Sequence, residues 1–169
     1  MTLIVEDGTG VPGAESPISV SEATNLLAEI QVTTGWTNLG LATQENMLRR
    51  ATSTIQNEWR FRGALVNVDQ GGPFPRNELY DFENRLVPPL PRPYKEAVAE
   101  LAYSLSRNPD VIADTEASVE QVKVGPIDVK LATATSTAKK LIPDSVAYKL
   151  KLYGWSIMSS GRQMRRISQ

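Results

Sequence analysis

The sequence predicts a mainly α protein: a small bundle of three to four helices with a β-hairpin, a long loop and an extended C-terminal arm. Three observations carry that expectation. Apolar residues recur at helical spacing in three separate segments and more briefly in a fourth, the period changes to two over one stretch near residue 125, and Pro and Gly crowd the connections between them. The 169 residues, 41% hydrophobic and 22% charged, suit one folded body with extensions.

Residues 1–18 form a lead-in rich in Gly and Pro, with Leu3-Ile4-Val5 as a short strand that pairs elsewhere in the chain. Ser19 followed by Glu22 forms a capping box and opens the first helix, along which Ala23, Leu26, Leu27 and Ile30 share a face. That helix should end near Gln31, before Val32-Thr33-Thr34-Gly35. Trp36 and Leu39 lie in the following connection and cap the core. Thr43 is the expected N-cap of the second helix, in which Leu48, Ala51, Ile55 and Trp59 lie on one stripe. Gly63 is its expected stop.

Residues 64–91 read as a long irregular loop, anchored by Phe74, Leu79, Tyr80, Phe82 and Leu86. Pro93 suits the first turn of the third helix, which buries Tyr94, Val98, Leu101 and Leu105; Ala97, Ala99 and Ala102 allow close packing. Asn108-Pro109 stops it. Val122 and Val124, then Ile127, Val129 and Leu131, alternate with polar residues around Gly125-Pro126, the pattern of a hairpin with one apolar face. A lone hairpin is marginal in water, so this one must pack on the helices or join a neighbour's sheet. Residues 132–142 are a low-complexity linker. Pro143-Asp144-Ser145 starts a short last helix with Val146, Leu150 and Tyr153 on its buried side, and Gly154 ends it. The domain reading is therefore a body over 1–131, a linker over 132–142, and a short helix with a basic arm over 143–169. The arm has no core of its own and is expected to order against a partner.

Composition narrows the chemistry. There is no His and no Cys, so Ser-His-Asp and Cys-His catalysis and His- or Cys-based zinc sites are excluded, and no disulfide can form. We therefore expect a protein that is not an enzyme and uses no cofactor and no metal. No apolar run approaches the roughly 20 residues of a membrane helix, and no signal peptide is evident at the start. The net charge is −1. It is unevenly spread: from residue 139 onward seven Lys and Arg stand against Asp144 alone, which leaves the rest of the chain acidic. A basic arm on an acidic body favours an acidic protein partner or nucleic acid.

Gly8-Thr9-Gly10-Val11-Pro12-Gly13 matches a dinucleotide-binding pattern in letters only, because Pro12 and Ser16-Pro17 leave no helix at the required place. It is expected to be a flexible turn. Glu78, Asp81 and Glu83 are expected to be a solvated acidic loop and not a cation site. Arg60-Phe61-Arg62, and separately Trp155 with Arg162, Arg165 and Arg166, mix cations with aromatics in the manner of protein interfaces or of single-strand nucleic-acid surfaces.

Several short motifs occur in a fixed order: Leu3-Ile4-Val5-Glu6-Asp7-Gly8-Thr9-Gly10, Ser19-Val20-Ser21-Glu22-Ala23, Trp59-Arg60-Phe61-Arg62-Gly63, Gln70 before Phe74-Pro75-Arg76, Pro91 and Pro93 before a helix, and Val122 to Val129 in the hairpin. Over residues 1–131 this order resembles head-to-tail connector, or head-completion, proteins of tailed phages, a family also labelled DnaT-like ssDNA-binding. Members often carry Trp where this chain has Phe74. The resemblance implies a helical subunit that assembles as a ring, in twelve copies, under the portal, extending the DNA channel and offering a surface to the tail. The implied partners are the portal protein, a tail or tail-completion protein, further copies of the chain and the genomic DNA that passes through, at the head–tail junction of the virion. On this reading Trp155, Ile157, Met158, Arg162, Met164, Arg165 and Arg166 dock on the portal. Phe74, Arg76, Tyr80, Phe82, Val122, Val124, Ile127 and Val129 are the candidate contacts between subunits. The alternative is a single-stranded DNA-binding module.

Overall fold

A computed structural model of the chain describes residues 2–30, 34–108 and 142–157. Its elements run α1 (Val20–Glu29), α2 (Leu41–Glu58), β1 (Trp59–Phe61), β2 (Ala64–Leu65), β3 (Arg76–Asn77), α3 (Arg92–Arg107), α4 (Asp144–Leu150) and β4 (Gly154–Ser156). The mainly α expectation holds: among the described residues four helices share a single core, with two small antiparallel pairs, β1 with β4 and β2 with β3. The predicted hairpin over 119–131 and most of the predicted linker lie outside the described residues.

The third helix is the centre of the packing, in contact with α1, α2 and α4. Its predicted face is buried throughout: Tyr94, Ala97, Val98, Leu101, Ala102 and Leu105. From α1 come Ala23 and Leu27, from α2 Leu48, Ala51 and Ile55, and from α4 Val146 and Leu150. Each helix supplies one apolar stripe, and burial of those stripes is the main force holding the bundle. Four rings tie the loop to this bundle. Phe74 lies 4.5 Å from Tyr94, 5.1 Å from Phe61 and 5.8 Å from Tyr153, centroid to centroid.

The predicted Ser19 cap is present, its hydroxyl accepting from the Glu22 amide at 3.2 Å. The second helix begins earlier than expected. Gly40, not Thr43, is its N-cap, and the Gly40 carbonyl accepts from the amides of Thr43 and Gln44. The turn before it is fixed by Trp36, fully buried, whose indole N–H donates to Thr24 and whose carbonyl accepts from the Gln44 side chain. The helix also stops sooner. Trp59 is buried as expected, but as the first residue of β1, with extended backbone. Gly63, at φ +74°, turns the chain into β2 instead of closing a helix.

A charged lattice fastens the helices on their outer side. Lys149 of α4 bridges Glu96 and Glu100 of α3, Arg92 bridges Glu96 and Glu29, and Lys95 pairs with Glu22. Burial alone would raise the Glu96 carboxyl; hydrogen bonds from Arg92 and Lys149 outweigh it and hold the group below its ordinary range. Such pairs are modest in energy singly but fix the antiparallel register of α4 on α3. α4 thus belongs to the same core as the first three helices, although it lies in sequence beside the arm.

The lead-in and the long loop order each other. Glu6, 4% exposed, accepts from the amides of Gly8 and Gly10 through one carboxylate oxygen and from Val11 through the other, each at 2.9 Å. The turn expected to be flexible is therefore wrapped on a carboxylate. Its Gly10 carbonyl accepts from the Asn67 side chain at 3.1 Å, and the Pro12 backbone bridges to Gln70. Gln70, 7% exposed, donates to the carbonyls of Gly72 and Pro75 and accepts from the Asn67 amide. Gly71 passes so close to Ala14 that a Cβ there would sit 2.0 Å from its carbonyl oxygen. The predicted N-terminal pairing is also present, as a parallel bridge between Val5 and Ser16.

Candidate interaction surface

Two features of the surface stand out, and both are built on β1 and the loop. The first is the β1–β4 ladder. Residues on a strand alternate sides, so Trp59 turns into the core and Arg60 turns out. The register places Arg60 directly opposite Trp155. Directly opposite residues share a face, and both side chains are exposed, Trp155 by 49%. What lets the strands meet is Gly154: a Cβ on it would lie 2.0 Å from the Arg60 carbonyl oxygen. The pairing continues where the Arg62 amide donates to Tyr153, and the Arg62 guanidinium donates to the Leu152 carbonyl at 2.6 Å. The same guanidinium lies 5.6 Å from the centre of the Phe82 ring. Among the described residues neither Arg60 nor Arg62 is in an ion pair.

The second feature is a band of exposed apolar side chains. One groove of about 490 Å³ runs between the 81–88 turn and Leu152–Tyr153, with Phe82 and Leu86 on its wall. Another, of about 560 Å³, is lined by Val66, Pro75, Leu86, Val87 and Pro89. Leu86 and Val87 line both, so the two grooves adjoin, with Val66, Leu86, Phe82 and Leu152 exposed along them among the charged side chains of Asp81, Glu83 and Arg85. Phe82 is 77% and Leu86 67% exposed. The acids of this turn are occupied internally: Arg85 pairs with Asp81 and with Glu83, each at 2.8 Å. Among the described residues no group of three or more acidic side chains is arranged to hold a metal ion. No described helix is long and apolar enough to cross a membrane.

The predicted contact residues divide. Tyr80 and Phe82 lie on the surface, as a contact requires, and so does Leu86, none of them anchoring the loop. Leu79, 1% exposed, is an anchor. Phe74 corrects its expectation as a subunit contact: at 1% exposure it is a hub of its own chain's core. Arg76 is half-buried at the edge of the second groove and donates to the carbonyls of Arg62, Pro73 and Gly63. Burial lowers its pKa from the ordinary arginine value. Of the arm, Trp155 is exposed and Ile157 half-buried, while Met158, Arg162, Met164, Arg165 and Arg166 lie outside the described residues, as do Val122, Val124, Ile127 and Val129. The expectation that the arm orders only against a partner is corrected for its first residues, because Gly154–Ser156 pair with β1 of the same chain. Sequence reading missed Arg60 as the neighbour of Trp155. Both aromatic–arginine clusters were visible, but no local signal relates residues 95 positions apart.

The described residues form a small, mainly helical fold with exposed arginine, tryptophan and apolar side chains around β1 and the loop. Over residues 1–167 the chain matches the model of the family described as "Putative DnaT-like ssDNA binding protein", and it belongs to that family. No curated protein and no solved structure matches it.

Proposed function

We propose that the chain is a structural subunit of a tailed-phage head-to-tail connector, assembling as a ring between portal and tail and extending the channel through which the genome passes. The observation that carries this reading is the set of exposed apolar side chains, Val66, Leu86, Phe82 and Leu152, along two adjoining grooves. Exposed apolar surface of this kind marks interfaces, since water contact there is unfavourable and a neighbour relieves it. The ordered motifs that resemble connector proteins and the absence of His and Cys support the same reading. In it the ring has twelve copies, matching the portal, sits at the head–tail junction of the virion, binds no cofactor, catalyses nothing and presents its far side to a tail protein. The basic arm docks on the portal through Ile157, Met158 and Met164, with Arg162, Arg165 and Arg166 steering the encounter. Because 154–156 belong to the folded body, the informative deletion is 157–169. Native mass measurement of the intact chain with the portal protein should give a multi-copy complex. The truncated chain should stay folded and be lost from it. A chain that remains monomeric beside the portal, or a truncation that binds unchanged, would refute the assignment.

A second reading, a single-stranded DNA-binding module, is favoured by the family's description. In it the three arm arginines meet phosphates and Trp155 stacks on a base. A fluorescence titration with an oligothymidylate at low salt tests it; no affinity there eliminates it, because phosphate contacts are strongest at low salt.

A further inference from the structure

We infer that the folded body itself carries a contact for unpaired nucleic acid, on the outer face of the β1–β4 ladder, with Trp155 as the stacking surface and Arg60 and Arg62 as the phosphate ligands. This deepens the second reading and rests on it, but it moves the site from the arm to the strands. Three independent features coincide there. Trp155 is half exposed and directly opposite Arg60. Arg62, two residues along the same strand direction, is out of the core and lies over a second exposed ring, Phe82. After Asp144 the chain contains no Asp or Glu, so nothing in the sequence that follows β4 opposes a phosphate chain, while Lys151 and the arm arginines favour one.

The chemistry selects a single strand. An indole stacks on a base only if the base face is free, and a duplex hides those faces. Cations next to the ring then reach the phosphates that flank the stacked base, without reading sequence. The support is rigid where it needs to be. Gly154 brings the two backbones into close approach, which fixes Arg60 and Trp155 at opposed positions, and the Arg62 guanidinium is braced by the Leu152 carbonyl. The nearest acids on the adjoining turn, Asp81 and Glu83, are both engaged by Arg85.

The protein reports on this site directly. Trp36 is fully buried and Trp59 is 4% exposed, which leaves Trp155 as the tryptophan that a ligand can reach. Titration of the full chain with an oligothymidylate should quench about one of the three indoles. Trp155→Ala should weaken binding of a labelled oligothymidylate about five- to 150-fold, the equivalent of ~1–3 kcal/mol per stacked base. Arg60→Ala, at an exposed side chain, should weaken binding and reduce the salt dependence by roughly one phosphate contact. Circular dichroism of each variant confirms that the fold is kept. Unchanged affinity of both variants for a labelled oligothymidylate overturns this site and leaves the arm as the contact. Equal affinity for a duplex of the same length overturns the stacking role. No binding by the unaltered chain overturns both the site and the reading on which it rests.

Discussion

Replacing Glu6 by Ala is expected to lower stability by about 3 kcal/mol, one of the largest effects of any single polar substitution in this chain. The carboxylate is almost completely buried and accepts three backbone hydrogen bonds, from Gly8, Gly10 and Val11. Alanine leaves those amides without an acceptor, in a turn too tight to reach another. Hydrogen bonds to a charged group contribute about 1.5–3 kcal/mol each, and sharing one side chain makes the three less than additive. The loss should also spread. The same turn holds Asn67 and Gln70, which organise the 64–77 loop and set Phe74 into the core. A drop of roughly 6–12 °C in Tm follows for a chain of this size. Glu6→Gln should fall between, because its single carbonyl oxygen can keep the Gly8 and Gly10 bonds while its NH2 group faces the Val11 amide. Thermal and urea unfolding check both variants. A loss under 1 kcal/mol for Glu6→Ala would mean that the lead-in and the loop are held by other contacts.

Gly154→Val should open the β1–β4 ladder. The glycine is not there for unusual dihedrals, since its φ lies outside the left-handed range. It is there for space: a Cβ would stand 2.0 Å from the Arg60 carbonyl oxygen and 2.9 Å from the Phe61 Cα, and backbone cannot yield as a flexible side chain can. Forcing extra atoms into such a contact typically costs about 1–3 kcal/mol, and here the cheaper escape is to separate the strands. Trp155 would then leave its place opposite Arg60, its emission should shift to the red, and trypsin should cut more readily at Arg60 and Lys151. The four helices should remain, because their core residues do not depend on the ladder. Unchanged stability with an unchanged cleavage pattern would show that the strands tolerate a wider spacing.

The contrast between these two regions and the helices explains where sequence reading succeeds. The helices were legible because each carries its evidence locally. Ser19 and Glu22 lie within one turn of α1, and Tyr94, Val98, Leu101 and Leu105 repeat along α3 at its own period. The ends of α2 were misplaced because they are set from outside the helix. Trp36 anchors the turn that brings Gly40 to the N-cap, and β4, nearly a hundred residues later, draws Trp59 into a strand. The loop looks irregular in sequence because its order comes from polar and close backbone contacts with residues 6–14, and such contacts have no periodicity to detect.

By itself, then, the sequence determined the helical class, the apolar stripes and the absence of histidine and cysteine chemistry, because period and composition are properties of neighbouring residues. Only the tertiary structure decided that Phe74 turns inward, that Arg76 spends its guanidinium on backbone carbonyls, that Tyr80, Phe82 and Leu86 turn out, and that Arg60 meets Trp155. Those outcomes depend on which distant backbone passes close enough to exclude water or donate a hydrogen bond, and the packing of the whole chain sets that distance.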